Sequence, residues 1–214
     1  MNKKVFIFDL DGTLVNTLSD IAFSINKMLM TYDFENHSED AVRKMIGKGA
    51  RNLVTNALPE SKRDDSFVDE ALDRYRKIYE KNLVVKTHTY DGIPGVLAQL
   101  KKQGVRMAVL SNKDDGQVKY TVDALMPGMF QSVNGFSPLF PHKPSPEAVF
   151  DIMKRMNAKP DETAFIGDSA VDIQTARNAG IMAVGVTWGF DSGESFEKFT
   201  PDVKIDKPIQ LLEI

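Results

Sequence analysis

At 214 residues, 42% of them hydrophobic and 27% charged, the chain suits one large globular domain or a core domain with a smaller insertion, and not a disordered segment. A net charge of −3 and a pI of about 5.7 give no electrostatic case for nucleic acid or an acidic membrane surface as a partner. The absence of cysteine excludes disulfides, thiolate metal ligands and a cysteine nucleophile, and fits a cytoplasmic protein.

Met1-Asn2-Lys3-Lys4 leads into an apolar run, Val5-Phe6-Ile7-Phe8, that is too short for the core of a signal peptide. No run approaches the roughly 20 apolar residues of a membrane span. Consecutive apolar residues bounded by polar ones read as a strand buried on both faces, as in a parallel sheet. That strand delivers Asp9-Leu10-Asp11-Gly12-Thr13 to its C-terminal end, where open α/β sheets bind ligands. Taken alone, the stretch also fits a plain Asp/Gly turn.

Residues 18–86 contain no convincing strand. Leu18, Ile21, Ile25, Leu29 and Tyr32 recur at helical spacing, as do Val68, Ala71, Leu72, Tyr75, Ile78 and Tyr79. Shorter helices are predicted near 39–46 and 50–58, separated by Gly47-Lys48-Gly49, with Pro59 after the second. After Tyr90-Asp91-Gly92 the pattern alternates. Strands are predicted at Val105–Leu110, Gln131–Val133, Thr163–Ile166, Ala183–Val186 and Val203–Ile205, and helices near 94–103, 115–125, 145–156 and 170–179. Ser145 before Pro146 and Glu147 reads as a helix N-cap with proline at the first helical position. The predicted fold is α/β: a doubly wound, Rossmann-like parallel sheet built from residues 1–16 and 88–214, with an all-helical cap, residues 17–87, inserted after the Asp pair. The crossings near Leu14–Thr17 and Lys86–Tyr90 are natural hinges.

Three further stretches converge on the edge that holds Asp9 and Asp11 if the sheet is parallel. They are Ser111-Asn112-Lys113, His142-Lys143-Pro144 and Gly167-Asp168-Ser169-Ala170-Val171-Asp172. Several carboxylates at one edge repel and are costly to bury, and a bound divalent cation removes that cost. Oxygen donors without sulfur favour Mg²⁺. Ser111, Asn112 and Lys143 then supply donors for phosphate oxygens. A plainer reading stands beside each: Ser111-x-x-Asp114 and Ser169-x-x-Asp172 both match a helix capping box, and Lys143 alone reads as a solvated loop lysine.

These motifs, in this order, resemble the haloacid dehalogenase superfamily over nearly the whole chain. Asp9-Leu10-Asp11-Gly12-Thr13, Ser111-Asn112, the Lys143-Pro144 loop and Gly167-Asp168-Ser169-x-x-Asp172 match the four family motifs. Gly12-Thr13-Leu14-Val15 and Ile46-Gly47-Lys48-Gly49 are similar to the phosphoglycolate phosphatase branch, which carries a small helical cap. Asn16 stands where relatives often carry Asp.

The resemblance implies a Mg²⁺-dependent phosphatase acting on a small phosphorylated metabolite. Asp9 is the implied nucleophile, forming an aspartyl-phosphate, and Asp11 the implied acid and base. Asp9, the backbone carbonyl of Asp11, and Asp168 are implied metal ligands, with Asp172 ordering the metal's waters. Thr13, Ser111, Asn112 and Lys143 are implied to hold the phosphoryl oxygens. Lys48 and Arg51 are the cap cations expected to meet a substrate carboxylate, with solvated surface cations as the alternative reading. Pyrophosphatase and nucleotidase activities remain open on the same fold. A dehalogenase is disfavoured by Asp11, a β-phosphoglucomutase-type mutase by Thr13, and a non-catalytic module by the presence of Asp9, Asp11 and Asp168 together. Oligomeric state is not legible in the sequence.

Overall fold

The computed structural model describes residues 3–214. In chain order its elements are β1 (Val5–Phe8), β2 (Val15–Asn16), α1 (Leu18–Met30), α2 (Glu39–Arg43), α3 (Ala50–Ala57), α4 (Asp65–Tyr79), β3 (His88–Thr89), α5 (Ile93–Lys102), β4 (Arg106–Asp114), α6 (Asp115–Leu125), β5 (Ser132–Phe136), α7 (Glu147–Arg155), β6 (Thr163–Gly167), α8 (Ala170–Asn178), β7 (Met182–Val186) and β8 (Val203–Ile205), with short 3-10 turns between some of them.

The six-stranded sheet runs β5-β4-β1-β6-β7-β8, and every pairing in it is parallel. From β1 the chain builds outward on one side through β4 and β5, then returns to build outward through β6, β7 and β8. Strand order therefore reverses at β1, and a crevice opens beyond its C-terminal end.

All residues of β1 are buried because both sheet faces are covered. Side chains alternate across the pleat. Phe6 and Phe8 join the face packed by Ile93, Val96, Leu97 and Leu100 of α5 and by Val118 and Val122 of α6. Val5 and Ile7 join the opposite face, packed by Val149 and Ile152 of α7 and Ile173 and Ala176 of α8.

The insertion has an apolar cluster of its own. Ile21, Ile25, Met28 and Leu29 of α1 meet Leu53 and Val54 of α3, and Val68, Leu72, Tyr75 and Tyr79 of α4. Ser38 caps α2 by accepting from the Ala41 amide at 3.2 Å, and Asp64 caps α4 by accepting from the Phe67 amide at 3.0 Å. The insertion's two ends lie side by side. β2 pairs antiparallel with β3, Val15 opposite Thr89 and Asn16 opposite His88, a ribbon the sequence pattern did not announce. Beside it the buried carboxylate of Asp20 accepts from the backbone amides of Val85, Lys86 and Thr87 and from the Thr87 hydroxyl, at 2.7–3.1 Å.

Several expected boundaries move, among them that of β5, which starts at Ser132 and runs on to Phe136. β4 runs past Leu110 to Asp114 because Ser111, Asn112 and Lys113 are buried and their polar groups are partnered there. α7 starts at Glu147 with Pro146 as its N-cap, so Ser145 lies one residue outside the expected cap, its hydroxyl on the Glu147 carboxylate. Among the described residues no helix is long and apolar enough to cross a membrane.

Candidate active site

Asp9 leaves β1 with its backbone amide still donating to Ile166 O of β6 at 2.9 Å, so the sheet fixes its position. The chain then turns tightly, with the amides of Thr13, Leu14 and Val15 all donating to Leu10 O. Gly12 sits in that turn at φ 90°. A Cβ there would stand 2.4 Å from Asp168 Oδ2, so glycine is required both for the backbone and for the approach of Asp168.

Asp168 follows β6. Its Oδ2 accepts from the Phe190 amide at 2.7 Å and its Oδ1 from the Thr13 hydroxyl at 3.3 Å. Asp172 lies in the first turn of α8. Its Oδ2 accepts from the Ser169 amide at 3.1 Å and the Ser169 hydroxyl at 2.6 Å, so the capping box is present. Its Oδ1 faces the site. Carboxylate oxygens of Asp9, Asp168 and Asp172, all buried, lie within 4.8 Å of one another. The capping and site readings of Asp172 are thus both true, one for each oxygen.

Lys143 enters this cluster from the loop before α7. Its Nζ lies 2.8 Å from Asp9 Oδ1 and 2.7 Å from Asp172 Oδ1. Its backbone is held by Asn112, whose Oδ1 accepts from Lys143 N at 2.8 Å and whose Nδ2 donates to Lys143 O at 3.1 Å. The ammonium meets two of the three carboxylates and cannot neutralise all three. Burial pushes Asp9 up to about 7; Lys143 pulls the other way, and Asp172 offsets part of that pull. Burial, then Asp172 and Asp9, hold Asp168 well above the usual carboxylate range. Burial alone would lower Lys143, but Asp172 and Asp9 outweigh it and keep the ammonium charged. An all-oxygen cluster that resists ionisation fits a small hard divalent cation such as Mg²⁺.

Asp11 stands apart from that cluster. Its Oδ1 accepts from the Thr17 hydroxyl at 2.8 Å, and both oxygens accept from Lys113 Nζ, at 3.0 and 3.1 Å. A ligand role expected for Asp11 therefore rests on its backbone carbonyl, not its carboxylate.

The insertion roofs a cavity of about 290 Å³ over these groups. Ile21, Arg43, Lys44, Ile46, Gly47, Leu53, Tyr75 and Tyr79 line it from above, and Asp9, Asp11, Ser111, Lys113, Lys143, Asp168 and Asp172 from below. Roof and floor are joined. Arg76 of α4 makes a bidentate pair with Asp114, at 2.7 and 2.9 Å. Asn112 Nδ2 donates to Gly47 O at 3.0 Å, and Arg43 donates to Phe190 O.

The expected site residues differ in their surroundings. The side-chain amide of Asn112 is held by Gly47 and Lys143, so it braces the lysine loop beside the cavity that Asn112 also lines. The Thr13 hydroxyl is directed at Asp168. Ser111 lines the cavity and caps no helix, since α6 begins at Asp115; its Oγ accepts from Lys113 N at 3.3 Å. Lys48 is exposed and outside the cavity lining. Arg51 is also outside it, on the cap surface, paired with Asp65 and Asp69. The glycines flanking Lys48 turn the loop so that Arg43 and Lys44 line the cavity in their place. Lys113 and Tyr79 were not anticipated. The available signal was a lysine directly after Ser111-Asn112 at the end of an otherwise apolar strand.

Comparison with known proteins agrees with this architecture. The sequence model of the haloacid dehalogenase-like hydrolase family matches residues 6–186. A Pseudomonas putida protein named phosphoglycolate phosphatase is 33% identical over 208 residues, covering 95% of this chain and 76% of its own. A protein of the same name from Aquifex aeolicus is 32% identical, covering 99% of this chain and 96% of its own. The crystal structure of a predicted phosphoglycolate phosphatase from Haemophilus somnus superposes with a TM-score of 0.93 at 30% identity, over 100% of this chain and 98% of that one.

Proposed function

The chain belongs to the haloacid dehalogenase-like hydrolase family, and we propose that it is a Mg²⁺-dependent phosphatase hydrolysing a small phosphomonoester, phosphoglycolate foremost, through a phosphorylated Asp9. The observation that carries this reading is the cluster of Asp9, Asp168 and Asp172 around Lys143, at the switch point of the sheet and under a helical roof.

Phosphate monoesters hydrolyse extremely slowly unaided, so positioning and charge neutralisation must supply most of the acceleration. Asp9, Asp168 and Asp172, with the backbone carbonyl of Asp11, are the groups to hold Mg²⁺. When bound, the ion supplies positive charge against the phosphoryl oxygens and the surrounding carboxylates. Asp9 is held by the sheet on one side and by Lys143 on the other, aimed at the phosphorus. Its oxygen forms the bond to phosphorus as the ester oxygen leaves, and Asp11 passes that oxygen a proton. Asp11 then takes a proton from a water molecule that cleaves the acyl phosphate, which returns Asp9 and releases inorganic phosphate. Lys143 and Ser111 hold the transferring oxygens, and Thr13 fixes Asp168. Residues 17–87 act as the lid, excluding bulk water during transfer.

The test is a screen of small phosphate esters with Mg²⁺ against the same screen in excess EDTA. Turnover that needs the metal, with phosphoglycolate among the best substrates, is expected. Undiminished turnover in EDTA overturns the reading.

A further inference from the structure

The mechanism above gives no task to Lys113, although it is buried beside the acid. Its Nζ lies 3.0 Å from Asp11 Oδ1, donates to the Tyr79 hydroxyl at 2.6 Å, and sits 4.6 Å above the Tyr79 ring. Tyr79 is the last residue of α4, buried in the roof. Lys113 therefore stands where the floor meets the roof, on the side of the cavity that Asp11 occupies.

The other cations of the cavity lining are committed elsewhere. Lys143 stands at the phosphoryl end, between Asp9 and Asp172. Arg43 is spent on Asp40 and on Phe190 O, and Lys44 pairs with Asp40 from an exposed position. Ile21, Leu53 and Tyr75 make much of the remaining roof apolar. A substrate that carries a second anion has one buried positive partner on the acid's side.

Bond geometry says where that anion must lie. In an ester whose carboxylate is attached one carbon from the ester oxygen, the carboxylate stands beside that oxygen. An acid facing the leaving oxygen, as the proposed function assigns to Asp11, brings the ammonium at 3.0 Å from it into reach of such a carboxylate. An ammonium carries three donors; they meet both Asp11 oxygens, at 3.0 and 3.1 Å, and the Tyr79 hydroxyl, so a substrate oxygen takes the place of one of the two Asp11 contacts.

We propose that Lys113 is a specificity-determining residue that pairs with a carboxylate one carbon from the ester oxygen, so that the site selects short 2-phosphooxy carboxylates over uncharged alkyl phosphates. This rests on the proposed phosphatase reading, and deepens it by naming the residue that selects the substrate. Tyr79 holds the ammonium in place from the roof, so selection requires the lid to be down.

The test uses two inert ligands of matched length, 3-phosphonopropionate and propylphosphonate, titrated calorimetrically into the full chain with Mg²⁺. The wild type is expected to bind the carboxylate-bearing ligand about ten- to a hundred-fold more tightly, the range of a charge-assisted hydrogen bond. Lys113→Met is expected to abolish that preference, and Lys113→Arg to keep part of it. Lys113→Gln, whose amide can still reach Asp11 and Tyr79, is the second neutral variant should the methionine form not fold. A wild type without preference, or a neutral variant that retains it, overturns the proposal. Neither ligand is turned over, so this outcome is separate from the turnover comparison in Mg²⁺ and EDTA that judges the phosphatase reading.

Discussion

Replacing Asp9 with Asn should stabilise the metal-free protein, and increasingly so as pH rises. Asp9 has an ordinary value near 3.8 and is pushed up to about 7 in the fold, chiefly by burial. Between those values the native state holds a proton that the unfolded chain has released. Native stability therefore falls as pH rises through that window and levels off above it. Each unit corresponds to about 1.4 kcal/mol, so the penalty is under about 2 kcal/mol at pH 5 and about 4 kcal/mol at pH 8. Asparagine keeps the shape and has no charge to desolvate, while Lys143 keeps Asp172 as its partner at 2.7 Å. The assay is urea unfolding of both proteins in EDTA at several pH values. The gap in favour of Asp9→Asn should widen by roughly 2–3 kcal/mol from pH 5 to pH 8. Adding Mg²⁺ should shrink it, because the ion stabilises the ionised wild type more than the variant. A gap that does not change with pH would show that Lys143 alone keeps Asp9 ionised, and the account of the site as a cation-requiring carboxylate cluster would fail.

Three other outcomes follow from the same geometry. Asp11→Asn should slow alkyl phosphates at least about a hundred-fold more than activated aryl phosphates, since only the former need a strong acid; equal losses in steady-state kinetics would remove Asp11 as the acid. Gly189→Ala places a Cβ 2.3 Å from Gly12 O and 2.4 Å from Asp168 Oδ2, so displacement of Asp168 should raise the Mg²⁺ needed for half-maximal activity by about ten-fold or more, and an unchanged metal titration would refute that close approach. Arg51→Ala should leave kcat/KM unchanged for carboxylate-bearing and uncharged esters alike, because Arg51 is spent on Asp65 and Asp69; a loss confined to the carboxylate ester would return Arg51 to the cavity.

The parallel core was legible because its signals are local. The apolar run of β1 and the alternating strands and helices after Gly92 follow directly from burial on two faces, and β8 and α6 fall where the pattern put them. Asp9, Asp168 and Asp172 were legible together because each follows a strand end and parallel strands end at one edge, and Lys143 because it lies in the loop that leads from β5 into α7. The cap's contribution was less legible. Which of Arg43, Lys44, Lys48 and Arg51 lines the cavity depends on how the Gly47-Lys48-Gly49 turn aims its neighbours, with φ of 112° at Gly47 and 84° at Gly49, and charge spacing carries no record of that. Lys113 was hidden differently. Its role depends on Tyr79, distant in sequence and brought near only when the helices of the insertion settle onto the sheet.

The ribbon of β2 and β3, tied by Asp20 to the amides of residues 85–87, has a bearing on how the fold is assembled. Because the two strands lie in register side by side, the α/β sheet meets the whole insertion as it would meet the tip of a hairpin. The entropy of closing a long excursion rises only with the logarithm of its length, and that closure is secured here at its neck. The helical unit can then lengthen, shorten or be replaced by a different one without disturbing the register of β1 against β4 and β6. Ligand choice can be redrawn above the neck while the aspartates below it stay in place.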